Sequence, residues 1–342
     1  MDGRATHPGA TGGAGLRDAL SALARRKRLV ATLQIVALVL LLGALAYGLR
    51  GAWSDAEPRL RHADRTDLAL GTLFVAFYYL AFVVGWQSII RTFGYRLGYR
   101  DALRAEMLSL LAKYIPGGVW TPAARVVACR RVGITDTALV LASIALEAGL
   151  SAIAGVLVFI ASLPVAGVSG AYLAPLILFA AILVVLLHPR VFAPATAFLV
   201  RPFGAPPPPS LAFRISLGLV AYYCFTWLIG GTALYFMLNA VGGDVGVETI
   251  PYLGGTSAVG AILAVVVVFA PSGLGVREGI TYTLIHAIAP RGPALGAVVL
   301  NRLVITLVEA VLLVVAAPVG RARQVPREAP EAAPDPPPAT PS

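Results

Sequence analysis

Cysteine and histidine are scarce in this sequence. Its 342 residues include two cysteines and four histidines. Cys129 and Cys224 form no CxxC pair, and no histidine lies at a metal-ligand spacing from them. The motifs HExxH, GxxxxGK[ST] and GxSxG are also missing. The sequence therefore predicts no disulfide, no metal site and no cofactor, and it lacks the signatures of the common hydrolases and ATPases.

Charged residues are also few. They make up 13% of the chain, whereas 58% of the residues are hydrophobic and the mean hydropathy is +0.81. Several apolar runs reach the ~20 residues that a helix needs to cross a bilayer. The sequence predicts an all-α, polytopic transmembrane helical bundle with six full spans: Leu29–Leu49, Leu68–Ile90, Thr137–Leu163, Ala171–Leu187, Ile215–Ala240 and Ala294–Ala317.

Basic residues exceed acidic ones, which gives a net charge of +10. They are spread through short loops rather than gathered in one patch, so the excess does not indicate nucleic-acid binding. It indicates orientation instead, because loops rich in Lys and Arg stay in the cytoplasm. The loop Val241–Glu248 contains two acidic residues and no cation. We expect a multi-pass protein of the cell membrane with both termini in the cytoplasm.

The first span follows the basic cluster Arg25–Arg28 and contains Ala44–Ala46, which resembles a signal-peptidase site. A signal peptide has an apolar core of about 7 to 15 residues, which is shorter than this run. The pattern favours an uncleaved anchor.

Proline and charge divide the chain further. The run Pro206–Pro209 follows a weakly amphipathic stretch, and the tail is rich in proline and poor in apolar residues. The predicted organisation is a basic leader (1–28), a first membrane half (29–187), an amphipathic and proline-rich linker (188–210), a second membrane half (211–317) and a disordered tail (318–342).

Two short motifs place proline and glycine inside apolar sequence. The first is KYIPGGVW at Lys113–Trp120, which is followed by Arg125. The second is FAPSGLGVREG at Phe269–Gly279, which contains Arg277. Proline and glycine break helices. Broken helices at matching positions of two halves are typical of a transporter's binding site.

The flanks of the two motifs have opposite character. Basic residues flank the first motif on both sides, so it should enter and leave from the cytoplasm, whereas the acidic loop precedes the second, which should dip in from outside. This pattern predicts two re-entrant helical hairpins in an inverted repeat. The alternative is eight ordinary spans with incidental kinks.

Several charges lie at predicted membrane depth, where a charge is costly unless it faces a partner or water. Glu147 shares a helical face with Ser143 and Ser151, and the last span repeats the spacing with Arg302, Thr306 and Glu309. Helices that begin after Gly118 or Gly275 would present N–H groups suited to phosphate.

Each charge also has a structural interpretation. Glu147 and Glu309 are candidate buried partners of Arg277 or Arg302 that would lock helices together. Lys113 can snorkel to the headgroups, and Arg125 can mark the inner interface.

The motifs resemble those of the lysylphosphatidylglycerol synthase transmembrane region, a flippase-like family, over roughly Leu29–Ala317. Pro116, Gly117 and Arg125 match its first block, and Arg302 matches the arginine of its last span. The second block is matched by Pro271, Gly273, Leu274, Gly275 and Glu278.

This sequence departs from the family pattern in the third span. Many members carry Glu-Arg-x-x-Asp there, whereas Glu147 is followed here by Ala148 and, at the Asp position, by Ser151. Only about 25 residues follow the last span, so the aminoacyl-transferase domain of full-length synthases is not expected and no enzymatic activity is assigned.

The resemblance implies movement of a lipid between leaflets, with an anionic aminoacylated or glycosylated phospholipid or a polyprenyl phosphate as cargo. One alternative is a membrane anchor for a separate lipid-modifying glycosyltransferase or synthase, and another is an enzyme that uses Glu147 or Glu278 as base. The candidate substrate-binding residues are Lys113, Pro116, Gly117, Gly118, Arg125, Glu147, Pro271, Gly273, Gly275, Arg277, Glu278, Arg302 and Glu309.

Overall fold

A computed structural model describes most of the predicted membrane region. It covers residues 57–113, 120–164, 213–266 and 275–316, with single positions at 178, 181, 185, 191 and 194. The predicted leader, first span and tail lie outside the described residues. So do the predicted span Ala171–Leu187 and the linker 188–210, apart from those single positions.

The described residues form an all-α bundle, as predicted, and include no strand. A single 3₁₀ turn, Val247–Thr249, joins two of the helices. The α-helices are α1 (Arg65–Thr92), α2 (Tyr99–Ala112), α3 (Trp120–Arg131), α4 (Thr137–Ser162), α5 (Phe213–Ala240), α6 (Ile250–Val266), α7 (Val276–His286) and α8 (Arg291–Ala316).

Four of these helices, α1, α4, α5 and α8, are long and apolar enough to cross a membrane. They confirm four of the predicted spans. Aspartates define two of their starts: Asp64 accepts hydrogen bonds from the N–H groups of Thr66 and Asp67, and Asp136 accepts one from Leu139. Such side chains satisfy N–H groups that have no partner within the helix.

The described parts of the other four helices are shorter than a membrane span. α2 and α3 contain 14 and 12 residues, and α6 and α7 contain 17 and 11. At 1.5 Å per residue they are about 16 to 26 Å long, against a hydrocarbon core of ~30 Å. α2 packs against α3 and α6 against α7. We call these pairs hairpin 1 (α2 and α3) and hairpin 2 (α6 and α7).

The two hairpins open toward opposite ends of the bundle. At one end, the N–H of Asp64 before α1 bonds to the carbonyl of Ala240 in α5, and hairpin 2 starts and finishes there. At the other end, Arg104 Nε of α2 lies 3.0 Å from the carbonyl oxygen of Ala316, the last residue of α8. Hairpin 1 therefore opens at the end where α8 finishes, in agreement with the predicted inversion.

Close glycine contacts fix hairpin 2 against the long helices. A Cβ atom added to Gly231 of α5 would lie 2.3 Å from the carbonyl oxygen of Ile250 in α6, and one added to Gly254 would lie 2.5 Å from that of Trp227. Such close approach is typical of helix packing in membranes, where small residues let backbones come together.

The outer face of α8 is apolar. Four exposed side chains recur every three or four residues along it: Leu303, Leu307, Val311 and Val314. This spacing places them on one helical face, which suits contact with lipid. The buried face of the same helix carries Glu309.

Candidate functional site

The described ends of both hairpins reach the middle of α8. Lys113, at the end of α2, pairs with Glu309 of α8, and Glu278, in the first turn of α7, pairs with Arg302 of α8. Arg302 and Glu309 are seven residues apart, so about 10 Å of α8 separates them. The two sequence breaks therefore converge on a short stretch of one helix.

Arg125 of α3 lies at the centre of the first cluster. Its guanidinium pairs with Glu106 of α2 and, at 2.5 Å, with Glu147 of α4. The hydroxyl of Ser109 accepts from Nε at 3.3 Å and from Nη2, the nitrogen that also contacts Glu106, at 3.2 Å. All three charged side chains are about 95% buried. We call Glu106, Arg125 and Glu147 the acidic triad, because two carboxylates share one guanidinium.

Trp86 of α1 packs against the guanidinium of Arg125. The guanidinium carbon lies 4.8 Å from the Trp86 ring centroid, a distance at which a cation is attracted to the ring face. The indole Nε1 donates to the hydroxyl of Ser143 at 3.0 Å. Ser143, which shares a helical face with Glu147, thus positions Trp86.

Lys113 connects hairpin 1 to the long helices. Its ammonium group bonds to Glu309, which also accepts a hydrogen bond from the hydroxyl of Tyr79 in α1. Arg277 and Arg302 lie close enough to act electrostatically on Lys113. This lysine therefore bonds inside the bundle rather than snorkelling.

Hairpin 2 and α8 enclose a cleft that we call the arginine cleft. It is lined by Arg277, Glu278, Thr281, Val298, Asn301, Arg302 and Ile305. Its volume of about 10 Å³ is close to what one water molecule requires. The cleft is therefore too narrow for a lipid headgroup in this conformation.

Glu278 makes two contacts at the edge of this cleft. It pairs with Arg302 at 3.3 Å and accepts a hydrogen bond of 2.7 Å from the N–H of Gly275. Gly275 has φ +85°, a conformation that glycine adopts without strain. The helix start predicted after Gly275 is confirmed, but a carboxylate of the protein occupies its first N–H group.

The charges are distributed unequally between the two clusters. The acidic triad has one surplus negative charge, because Arg125 faces two glutamates. Among the described residues that line the arginine cleft, two arginines accompany one glutamate, so this lining has a surplus positive charge. The pair formed by Lys113 and Glu309 lies between them and is balanced.

Cys129 of α3 is packed beside the triad. Its side chain is fully buried. No group of three or more potential metal ligands occurs among the described residues.

The predicted ion pairs were wrong. Glu147 and Glu309 were expected to pair with Arg277 or Arg302, but their partners are Arg125 and Lys113. The interface role weighed for Arg125 is also wrong, because its side chain is buried between three helices. The predicted residues Pro116, Gly117, Gly118, Pro271 and Gly273 lie outside the described residues.

The sequence analysis missed Glu106 and Tyr79. Glu106, Ser109 and Lys113 follow one face of α2 at spacings of three and four, the same signal that identified Glu147 and Arg302. Glu106 was overlooked because it lies outside the motif Lys113–Trp120. Nothing in the sequence distinguishes Tyr79 from its neighbour Tyr78.

Comparison with protein families agrees with this architecture. The sequence model of one protein family, the lysylphosphatidylglycerol synthase TM region, matches residues 34–312. The chain belongs to this family. No curated protein matches it at a significant level. Membership of the lysylphosphatidylglycerol synthase TM family, together with the four long apolar helices, identifies an integral membrane protein.

Proposed function

We propose that this membrane protein binds the anionic headgroup of a lipid in the arginine cleft and moves the lipid between leaflets. The proposed cargo is an aminoacylated or glycosylated phospholipid or a polyprenyl-phosphate lipid, and the proposed location is the cell membrane with both termini in the cytoplasm. The role is transport rather than catalysis.

The observation that carries this proposal is the chemistry of the cleft. Arg277 and Arg302 line it together with the polar side chains of Asn301 and Thr281. A guanidinium group presents N–H donors in a fork that matches phosphate oxygens. The surplus positive charge of the cleft favours an anion, and an arriving phosphate would replace Glu278 as the partner of Arg302.

The position of the cleft supports transport in particular. It lies beside the middle of α8, where two hairpins that open to opposite ends converge. In transporters built from inverted repeats, a central site is reached alternately from the two sides when one repeat moves against the other. The cleft of about 10 Å³ has no room for a headgroup in this conformation, so the proposed transport requires that one hairpin moves away from α8.

The outer face of α8 offers a path for the acyl chains. Leu303 directly follows Arg302 and is exposed, as is Leu307 one turn later. A lipid could therefore keep its chains against this face while its headgroup enters the cleft. Only the headgroup then needs a polar path, because the chains stay in hydrocarbon.

The test uses purified full-length protein in liposomes that contain a fluorescent phosphatidylglycerol. Wild type should accelerate loss of fluorescence when the outer leaflet is chemically reduced. Arg277→Gln and Arg302→Gln should each slow this movement about tenfold or more, since a charge-assisted hydrogen bond contributes about 1.5 to 3 kcal/mol. The matched control is Arg130→Gln, because Arg130 is exposed on α3 and bonds to Thr137.

A double variant separates binding from folding. Arg302→Gln with Glu278→Gln removes both partners of the pair, so stability should recover while transport should not. The proposal fails if wild type moves none of a panel of anionic lipids, or if both arginine variants move lipid at the wild-type rate. Co-purification with a lipid-modifying enzyme would then favour the role of membrane anchor.

A further inference from the structure

The acidic triad contains more negative charge than its position allows. Glu106, Arg125 and Glu147 each expose 4% of their surface, and they come from α2, α3 and α4. If both carboxyl groups were ionised, the triad would carry one uncompensated negative charge. Burying an unpaired charge is strongly unfavourable, and a carboxyl group in such a place takes up a proton instead.

The acidic triad also contains a buried polar atom without a hydrogen-bond partner among the described residues. Glu147 Oε1 is buried and has no hydrogen-bond partner among the described residues, and the same holds for the hydroxyl of Tyr223 on α5. Tyr223 is fully buried, and Glu147 is the charged group that acts on it most strongly. Both atoms are therefore buried without a hydrogen bond from the described residues.

Among the described residues, the groups next to the triad do not supply the missing charge. Lys113 acts on Glu106 but is bonded to Glu309, and Arg277 acts on Tyr78 from the arginine cleft. The only titratable group on α6 is Tyr252, which contacts Phe159 near the far end of α4. The remaining titratable groups around the pair are neutral in their ordinary state: Tyr78 of α1, Cys129 of α3 and Tyr223 of α5.

We propose that Glu106 and Glu147 form a proton-binding site, which holds one proton in this conformation and releases it when hairpin 1 separates from α4. With one proton, the remaining carboxylate pairs one-to-one with Arg125 and the triad is neutral. With none, a buried negative charge is left, and with two, a buried guanidinium has no counter-ion. One proton is therefore the favoured occupancy, as in other sites where two carboxyl groups share a position.

The position of the triad relates proton release to hairpin movement. Hairpin 1 contributes Glu106 and Arg125, whereas Glu147 belongs to the long helix α4. Separation would admit water, break the O–H bond of the protonated carboxyl group, leave a solvated carboxylate and pass the proton to the solvent. The same hairpin carries Lys113, next to the arginine cleft. The proton site is independent of the cargo, but its coupling to lipid movement rests on the proposed function.

Infrared difference spectroscopy of the purified full-length protein tests the proton site. Wild type at neutral pH should show the C=O stretch of a protonated carboxylic acid, with the small shift that D₂O produces. Glu106→Gln and Glu147→Gln should each abolish this band, because either change leaves one carboxylate with one guanidinium. Glu309→Gln is the matched control, since Glu309 is a buried acid paired with Lys113, and it should keep the band.

Two results would overturn the proton site. One is the absence of the band from wild type, and the other is a band that survives in either Glu106→Gln or Glu147→Gln. Because each single variant is a separate test, failure of one to fold leaves the other.

The coupling is tested with the liposome assay at several pH values. The pH dependence of lipid movement by wild type should disappear in Glu147→Gln, whose side chain cannot release a proton. An unchanged pH dependence in this variant would overturn the coupling. If wild type shows the band but moves no lipid, the proton site stands and the proposed function fails.

Discussion

Hairpin 1 and hairpin 2 are both pairs of short helices, but different interactions hold their first helices in the bundle. The first helix of hairpin 1, α2, contains no glycine, and its charged residues reach partners on other elements: Glu106 bonds to Arg125 and Arg104 to the end of α8. The first helix of hairpin 2, α6, contains no charged residue. It is held by glycines that lie against the backbones of α5 and α4, such as Gly254 and Gly255.

This difference explains where the two surplus charges lie. On hairpin 1 the charged side chains are used for packing, so an additional anion would meet Glu106 and Glu147. On hairpin 2 the packing of α6 needs no charge, and Arg277 of α7 lines a cleft together with Arg302 of α8. The two hairpins thus differ in electrostatic character although each is a pair of short helices.

The largest expected difference between the hairpins is their accessibility from outside the cell. Single cysteines at exposed positions should label in an all-or-none way, with Arg100→Cys and Arg130→Cys shielded and Glu248→Cys and Arg291→Cys reactive to an impermeant maleimide in intact cells. The background is Cys224→Ala, because Cys129 is buried. Labelling of position 130 from outside would contradict the proposed orientation of hairpin 1.

Loss of the central charge of hairpin 1 should have the largest effect on stability. Arg125→Met leaves two buried carboxyl groups without their cation and should lower the free energy of unfolding by about 3 to 5 kcal/mol. Thermal unfolding in detergent measures this change. Adding Glu106→Gln and Glu147→Gln should restore much of the loss, and no recovery would show that Arg125 acts through packing alone.

A smaller loss is expected from crowding the glycine contact of hairpin 2. Gly254→Ala would push a methyl group against the carbonyl of Trp227 and should cost about 1 to 3 kcal/mol. Gly218→Ala is the control, because no atom lies within 4 Å of its added Cβ. It should be neutral or stabilising, since alanine favours a helix over glycine by up to about 1 kcal/mol. Equal effects at both positions would contradict the packing argument.

The smallest effect concerns the link between hairpin 1 and α8. Lys113→Met and Glu309→Gln should each destabilise the protein, and the double variant should lose less than the sum of the two. The coupling energy should be about 0.5 to 3 kcal/mol, as for contacting residues in one network. An additive double variant would show that this pair does not hold the hairpin.

Much of the fold follows from local pattern. The four long helices begin and end within about three residues of the predicted spans, because an apolar run long enough to cross a bilayer favours one structure. The positions of the two hairpins agree with the two motifs, because α2 and α3 lie on either side of the first motif and α6 and α7 lie on either side of residues 267–274. The prediction of six full spans is not tested, since two of them lie outside the described residues.

The partners of the charges could not be predicted in the same way. Spacing along a helix shows that Glu147, Ser143 and Ser151 share a face, but it does not show which helix that face meets. Arg125 is 22 positions from Glu147, and Lys113 is 196 positions from Glu309. Such pairs depend on the rotation of each helix about its axis, which is set by packing throughout the bundle.

By itself, the sequence determined that this protein is a helical membrane protein and where its long helices lie, because hydrophobic length acts locally. Only the tertiary structure decided that Arg125 faces two glutamates while Arg277 and Arg302 face one. That distribution arises because α2, α3 and α4 bring three buried charges together, whereas α7 and α8 leave theirs beside a cleft.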